Sequence, residues 1–303
     1  MDTIKCKIIV LLGVVGVSFS AILVKYASAP SVVLAFYRML LTALLLLPAV
    51  WRNCREELKG LKKKDLLYCC ASGFFLACHF SAYFESIRYT SIASSTVLVD
   101  TEVFFVALVT VLVFRERLSG AGAAGILLTF AGSVLLALSD SRAGSDVLHG
   151  DILALAGAVF VSVYTLIGRR QRTHMTTTLY TFLVYAASAL VLSVFCAAGH
   201  TALTGYEWKD YGCALGMAVF CTLLGHSVFS WGLKYVPAAF ISTAKLGEPV
   251  FATLLGLLLF GQVPGTVQII GGMIILAGLW MYVCLDKAEK AEKNGKAEEG
   301  GKG

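Results

Sequence analysis

The chain has 303 residues, of which 58% are hydrophobic and only 15% charged, and its mean hydropathy is +0.79. Soluble domains carry about a quarter charged residues, so an ordinary soluble fold is excluded. The formal net charge of +6 invites a nucleic-acid reading, which the loop positions given below turn into a topology signal.

In chain order, Lys5 and Lys7, an apolar run from Ile8 and Ala27-Ser28-Ala29 imitate a signal peptide. Pro30 at the first mature position, with a second apolar run directly after it, argues for a retained first span. Ten apolar segments follow, at about 8–26, 31–50, 66–86, 91–113, 120–138, 151–168, 176–198, 211–233, 237–260 and 266–285. Each is long enough, or nearly so, to cross about 30 Å of hydrocarbon. The expected fold class is an all-α integral membrane protein with ten transmembrane helices. Of the 25 Lys and Arg, only Lys25, Arg88, Arg142 and Lys209 fall on one face, with Arg38 and Lys245 inside spans. The rest gather on the face that holds both chain ends, which makes both termini cytoplasmic. The nine cysteines show no C-x-x-C spacing and read as small core hydrophobes.

Sliding the chain by 146 residues superposes Arg88 to Val134 on Lys234 to Trp280 without a gap, with matches that include Glu102/Glu248, Gly125/Gly271 and Gly132/Gly278. Each half then holds five spans. Five is odd, so the second half enters the membrane from the opposite side, and the repeats are inverted. The domains expected are 1–138 (first repeat), 139–150 (extracytoplasmic linker), 151–285 (second repeat) and 286–303 (disordered cytoplasmic tail).

Ionisable residues inside spans are costly, about 2.5 to 3.5 kcal/mol each on insertion scales, and need a reason. The stretch Lys245-Leu246-Gly247-Glu248-Pro249 carries two of them, and Pro249 removes the helical partner of the Lys245 carbonyl. Lys245 and Glu248 stand at i, i+3. They form a salt bridge on one helical face, or they meet opposite charges on a substrate. Asp100 and Glu102 are two apart and do not share a helical face, so one lines a cavity while the other pairs with a cation such as Arg38. His79 with Tyr83, and His226 with Ser230, form polar ridges at i, i+4; the histidines suit a proton relay or hydrogen-bonded packing. Tyr37, Tyr164 and Trp231 can stack on a ring or fill the core. Glu116, between Arg115 and Arg117, can latch a gate or pair with headgroups. The glycines of spans five and ten serve packing within the chain or a dimer contact. Nothing matches H-E-x-x-H, G-x-S-x-G, a P-loop or a metal-ligand spacing.

Several motifs resemble the EamA-type members of the drug/metabolite transporter superfamily. They are Phe36-Tyr37-Arg38, Arg88-Tyr89-Thr90-Ser91, Phe104-Phe105, Arg115-Glu116-Arg117-Leu118, Gly225-His226, Trp231 to Pro237, Leu246 to Phe251 and Gly261-Gln262-Val263-Pro264. The resemblance covers nearly all of residues 8–285. It implies two inverted five-helix (EamA) repeats, alternating access, and a central cavity lined mainly by spans one, three, four, six, eight and nine. Three positions depart from the family pattern. Gln262 stands where glutamate is usual, which excludes proton coupling at that residue. Val103 stands where proline is frequent, so the two halves need not bend alike, and Val184 stands at the repeat position of Arg38.

The function expected is secondary transport or facilitated movement, in the export direction, of small polar metabolites such as amino acids. The alternative is a carrier of nucleotide-linked or lipid-linked sugars. A membrane-embedded enzyme is the reading furthest from the residues. Substrate-binding candidates are Glu102, Lys245, Glu248, His79, Tyr83, His226, Arg38, Asp100, Tyr164 and Trp231, and gating candidates are Glu116 and Pro249. No cofactor or metal is expected, with proton coupling as an option. The partners are a small-molecule substrate and membrane lipids, not nucleic acid, for a monomer or homodimer in a bacterial inner membrane.

Overall fold

The computed structural model describes residues 3–89, 92–115, 118–138, 147–260 and 263–282. Glu116, Gln262, most of the 139–150 linker and the tail from 286 lie outside the described residues. Among the described residues every regular element is helical. The first half comprises α1 (Thr3–Val17), α2 (Ser20–Tyr26), α3 (Ser31–Asn53), the short α4 (Arg55–Lys59), α5 (Lys63–Tyr89), α6 (Ile92–Asp100), α7 (Glu102–Leu112) and α8 (Gly120–Leu138). The second half comprises α9 (Val147–Gln171), α10 (Thr177–Ala198), α11 (Trp208–Gly216), a π-helical stretch (Met217–His226), α12 (Ser227–Gly232), α13 (Ala238–Lys245), α14 (Glu248–Phe260) and α15 (Thr266–Trp280).

Seven segments are long and apolar enough to cross a membrane: Thr3–Tyr26, Ser31–Asn53, Lys63–Tyr89, Ser95–Leu112, Val147–Gln171, Thr177–Ala198 and Trp208–Gly232. Gly120–Leu135 and Thr266–Trp280 are shorter apolar helices. The α13–α14 pair occupies the apolar run at 237–260. The protein is therefore a multi-pass membrane protein.

The halves are interleaved, and the largest helix contacts cross between them: α5 with α9, α8 with α15, α3 with α10, and α5 with α10, with α1 against the π-helical stretch next. Between lipid-facing helices there is no hydrophobic drive to associate, so small residues that allow close approach hold such crossings together. At the α8–α15 crossing a Cβ on Gly132 would lie 2.8 Å from the Gly271 carbonyl oxygen, and one on Gly125 would lie 3.0 Å from that of Gly278. The glycines matched by the repeat thus pack on each other within one chain.

Both halves break a helix at the same repeat position. In the first half the backbone N–H of Phe104 donates to Thr101 (3.0 Å), and in the second that of Val250 donates to Gly247 (3.1 Å). These are i→i+3 bonds of 3₁₀ type, and they separate α6 from α7 and α13 from α14. Val103 therefore does not make the halves bend differently. The break needs no proline at that position, and Pro249 simply sits in the first turn of α14, where its ring is tolerated.

Candidate functional site

Carbonyls at these breaks accept hydrogen bonds from serines of other spans. Ser18, between α1 and α2, shares its hydroxyl proton between the Val14 carbonyl (2.8 Å) and the Glu248 carbonyl (3.2 Å). Ser162 on α9 does the same with Ala158 (2.7 Å) and Glu102 (3.5 Å). Ser133 on α8 reaches Leu246 (3.3 Å). Each broken span is therefore steadied by the first span of the opposite half, and the pseudo-symmetry extends to hydrogen bonds.

The breaks aim their flanking side chains into one central cavity. It is lined by Val17, Ser20, Arg38, His79, Phe80, Tyr83, Thr96, Val99, Asp100, Glu102, Val161, His226, Phe229, Lys245 and Glu248. Eight of the ten substrate-binding candidates thus share it. Tyr164 and Trp231 stand outside the lining: the Tyr164 hydroxyl is hydrogen-bonded to Ser230 (3.0 Å), and Trp231 packs against Tyr235. Ser20, Phe80 and Thr96 escaped sequence reasoning, since a serine, a phenylalanine and a threonine in apolar helices carry no signal until their partners are known.

The charge pairing differs from both readings of the sequence. Lys245 Nζ donates to Glu102 Oε1 at 2.7 Å, across the two halves. Glu248 is not its partner, because Lys245 ends α13 and Glu248 opens α14, so the i, i+3 geometry of a continuous helix does not apply. Lys245 is 8% exposed and Glu102 1%, and a pair this deep is held by mutual neutralisation. Asp100 and Glu102 both face the cavity. The turn at Thr101 removes the constraint that keeps residues two apart on different faces.

Arg38 is 1% exposed and pairs with no carboxylate among the described residues. Its Nε donates to Thr222 Oγ1 (2.8 Å), its Nη1 donates to Ser20 Oγ (3.0 Å), and its guanidinium lies 4.2 Å from the centroid of Phe80. Thr222 belongs to the π-helical stretch, where its hydroxyl donates to the Met217 carbonyl five residues back. Such π segments cluster at functional sites. Arg38 Nη2, Asp100 Oδ2, Glu102 Oε2 and His226 Nδ1 are buried without a hydrogen-bond partner among the described residues. Buried polar atoms are otherwise nearly always paired.

The histidines play different parts. His79 Nδ1 lies 3.0 Å from the Gly157 carbonyl, an acceptor, so that nitrogen carries the proton. Its ring stacks on Tyr83 (5.9 Å, 13°), whose hydroxyl meets Thr96 Oγ1 at 3.1 Å. His226 ends the π-helical stretch and meets Phe80 edge-on at 5.3 Å. Among the described residues no group of three or more His, Cys, Asp and Glu could hold a metal ion.

A model of the EamA-like transporter family matches residues 4–138 and 148–284, one match in each half. The chain belongs to the EamA-like transporter family. It is a membrane transporter of that kind. Among curated relatives, an uncharacterized transporter from Archaeoglobus fulgidus is 25% identical over 255 residues, covering 82% of this chain and 86% of its own. The uncharacterized transporter YxxF of Bacillus subtilis is 24% identical over 257 residues, covering 84% and 82%. A solved crystal structure aligns with a TM-score of 0.73 at 18% identity, over 93% of this chain and 99% of the other, which shows the shared fold. Within this EamA-like transporter, the two family matches correspond to the halves whose broken helices frame the cavity.

Proposed function

We propose that this transporter is a secondary carrier or facilitator that exports small zwitterionic metabolites of the amino-acid class. Ten membrane spans in two inverted halves alternate access to the central cavity, with both termini in the cytoplasm. The observation that carries this reading is the set of buried polar atoms of both signs left over once Lys245 and Glu102 have paired. The Arg38 Nη2 group is a donor for a carboxylate, in a fork already fixed by Ser20 and Thr222. Asp100 and Glu248 offer oxygens to an ammonium group. Lys245, the first candidate for the anion by sequence, is engaged by Glu102 and acts as a strut between the halves.

Charge balance supports proton coupling. Three carboxyl groups, Asp100, Glu102 and Glu248, line the cavity beside two basic side chains, Arg38 and Lys245. The surplus carboxylate needs a further positive charge, supplied by a proton or by the substrate amine. The export direction and the bacterial inner membrane are part of the proposal and rest on the family alone; the cytoplasmic placement of both termini rests on the distribution of basic residues.

The test is metabolite profiling of cells with and without the protein, followed by flux in proteoliposomes with and without a proton gradient. Arg38→Met and Glu248→Gln are expected to reduce flux of the identified solute by about tenfold or more, as removal of a charged hydrogen-bond partner does. Flux indifferent to both substitutions sinks the assignment. Flux in Glu248→Gln that persists but ignores the gradient makes Glu248 the coupling residue.

A further inference from the structure

Away from the cavity, one aspartate at each membrane face ties the halves together, and the two ties are related by the repeat. Asp210, in the first turn of α11, accepts hydrogen bonds through Oδ1 from the backbone N–H groups of Ser28 (2.7 Å) and Ala29 (3.3 Å). Asp65, in the first turn of α5, meets His174 Nε2 through Oδ1 at 3.1 Å. Lys64-Asp65 corresponds to Lys209-Asp210 at an offset of 145, and Ser28 corresponds to His174 at 146. Each aspartate therefore grips the loop after the first span of the opposite half, and the two grips lie at opposite ends of the bundle.

Their chemistry differs. Backbone N–H groups do not titrate, whereas imidazole is charged only when protonated. Thr173 Oγ1 donates its one proton to the Arg170 carbonyl (2.7 Å), so it accepts from His174 Nδ1 at 3.2 Å. His174 Nε2 faces a carboxylate, which also only accepts. With the hydroxyl turned this way, the protonated ring donates at both nitrogens and its contact with Asp65 is an ion pair, whereas the neutral ring has one proton for two acceptors. Glu57, Arg172 and Arg170, the other charged groups packed near it, have partners of their own. Glu57 on α4 accepts from the backbone N–H of Thr176 (2.7 Å) and from its hydroxyl (2.5 Å). Arg172 donates to the Ser230 and Met175 carbonyls and to Thr177 Oγ1. Arg170 lies over the Tyr68 ring, and Lys62, Lys63 and Lys64 are exposed. Asp65 is left as the counter-charge, with Gln171 Nε2 on its backbone carbonyl (3.2 Å).

We propose that these are the clasps of the two mouths of the cavity, and that only the Asp65–His174 clasp, on the face of the basic 51–65 loop, opens on loss of a proton. The inference rests on the alternating-access reading for the word mouth, and its test requires no substrate. Val99 lines the cavity. In vesicles holding the full chain with Val99→Cys, a membrane-impermeant charged methanethiosulfonate is presented to one face or the other. Modification at position 99 is followed by mass spectrometry, which separates it from the native cysteines, and rates are corrected with a free-thiol standard. From the basic-loop face, the corrected rate is expected to rise roughly tenfold between about pH 5.5 and about pH 8, and from the opposite face to stay constant. Adding His174→Gln makes the basic-loop face fast at both pH values, and His174→Arg, which keeps a charged donor, makes it slow at both. Asp210→Asn speeds labelling only from the opposite face. A pH response that survives His174→Gln, or rates on the basic-loop face indifferent to both His174 variants, overturns the proposal. Flux assays read the other question separately: switching of the mouths without flux of any amino acid leaves the clasps standing and removes the substrate assignment.

Discussion

The two halves break a helix at equivalent residues, support each break by a serine from the opposite half, and present a glutamate at each break, yet they furnish the cavity with different charges. The first half contributes Arg38 and the second has Val184 at that position; the second contributes Lys245 and the first has Val99. The region that corresponds to the regular helix α5 is, in the second half, interrupted by the π-helical stretch that meets Arg38. Symmetry thus lies in the backbone breaks, and asymmetry in the side chains that line the cavity. A solute with distinct ends needs a cavity with distinct ends.

The largest effect is expected at the ion pair that bridges the halves. Lys245→Met leaves Glu102 buried and unpaired, and stability in detergent is expected to fall by about 3 to 5 kcal/mol. Glu102→Gln added to it recovers most of the loss, and a thermal double-mutant cycle checks this. If Lys245 held substrate alone, stability would hardly change. Next comes the α8–α15 crossing. Gly132→Val forces side-chain atoms against the Gly271 carbonyl, with an expected loss of about 1 to 3 kcal/mol, read as a lower midpoint of thermal unfolding.

Smaller effects sharpen the symmetry itself. Ser18→Ala removes a hydroxyl shared between two carbonyls and is expected to lower stability by at most about 1 kcal/mol. Ser162→Ala, whose reach to Glu102 is 3.5 Å against 3.2 Å for Ser18 to Glu248, is expected to do less. Equal effects would show the two supports to be equivalent despite the distances. The smallest effect is expected from Trp231→Phe, which lies outside the cavity and keeps an aromatic contact with Tyr235. Flux is expected to stay within about twofold of the parent, in contrast to Arg38→Met.

Much of this was legible in the residues. Apolar run lengths marked a multi-pass helical membrane protein, because a helix needs about 20 apolar residues to cross hydrocarbon, and seven of the described segments meet that length. The 146-residue offset revealed the repeat through glycines and a glutamate that chance rarely aligns. Eight of the candidates reached one cavity because charge inside a span needs a polar centre wherever it lies in the chain. Tyr164 and Trp231 did not, since an aromatic ring is equally at home in the core. The aspartates of the clasps drew no attention, because an acidic residue in the first turn of a helix is ordinary.

Residue chemistry along the chain was enough to place the protein in a membrane, to show that it is built of two repeats, and to mark which ionisable groups need a reason. The tertiary structure alone decided which of them meet. Lys245 finds Glu102, 143 positions away in the chain, and not Glu248 three positions on. Neighbour rules along a helix hold only while the helix is continuous, and both halves end a helix at this point. Arg38 likewise meets Ser20 and Thr222, residues that only the packing of three separate spans brings to its side.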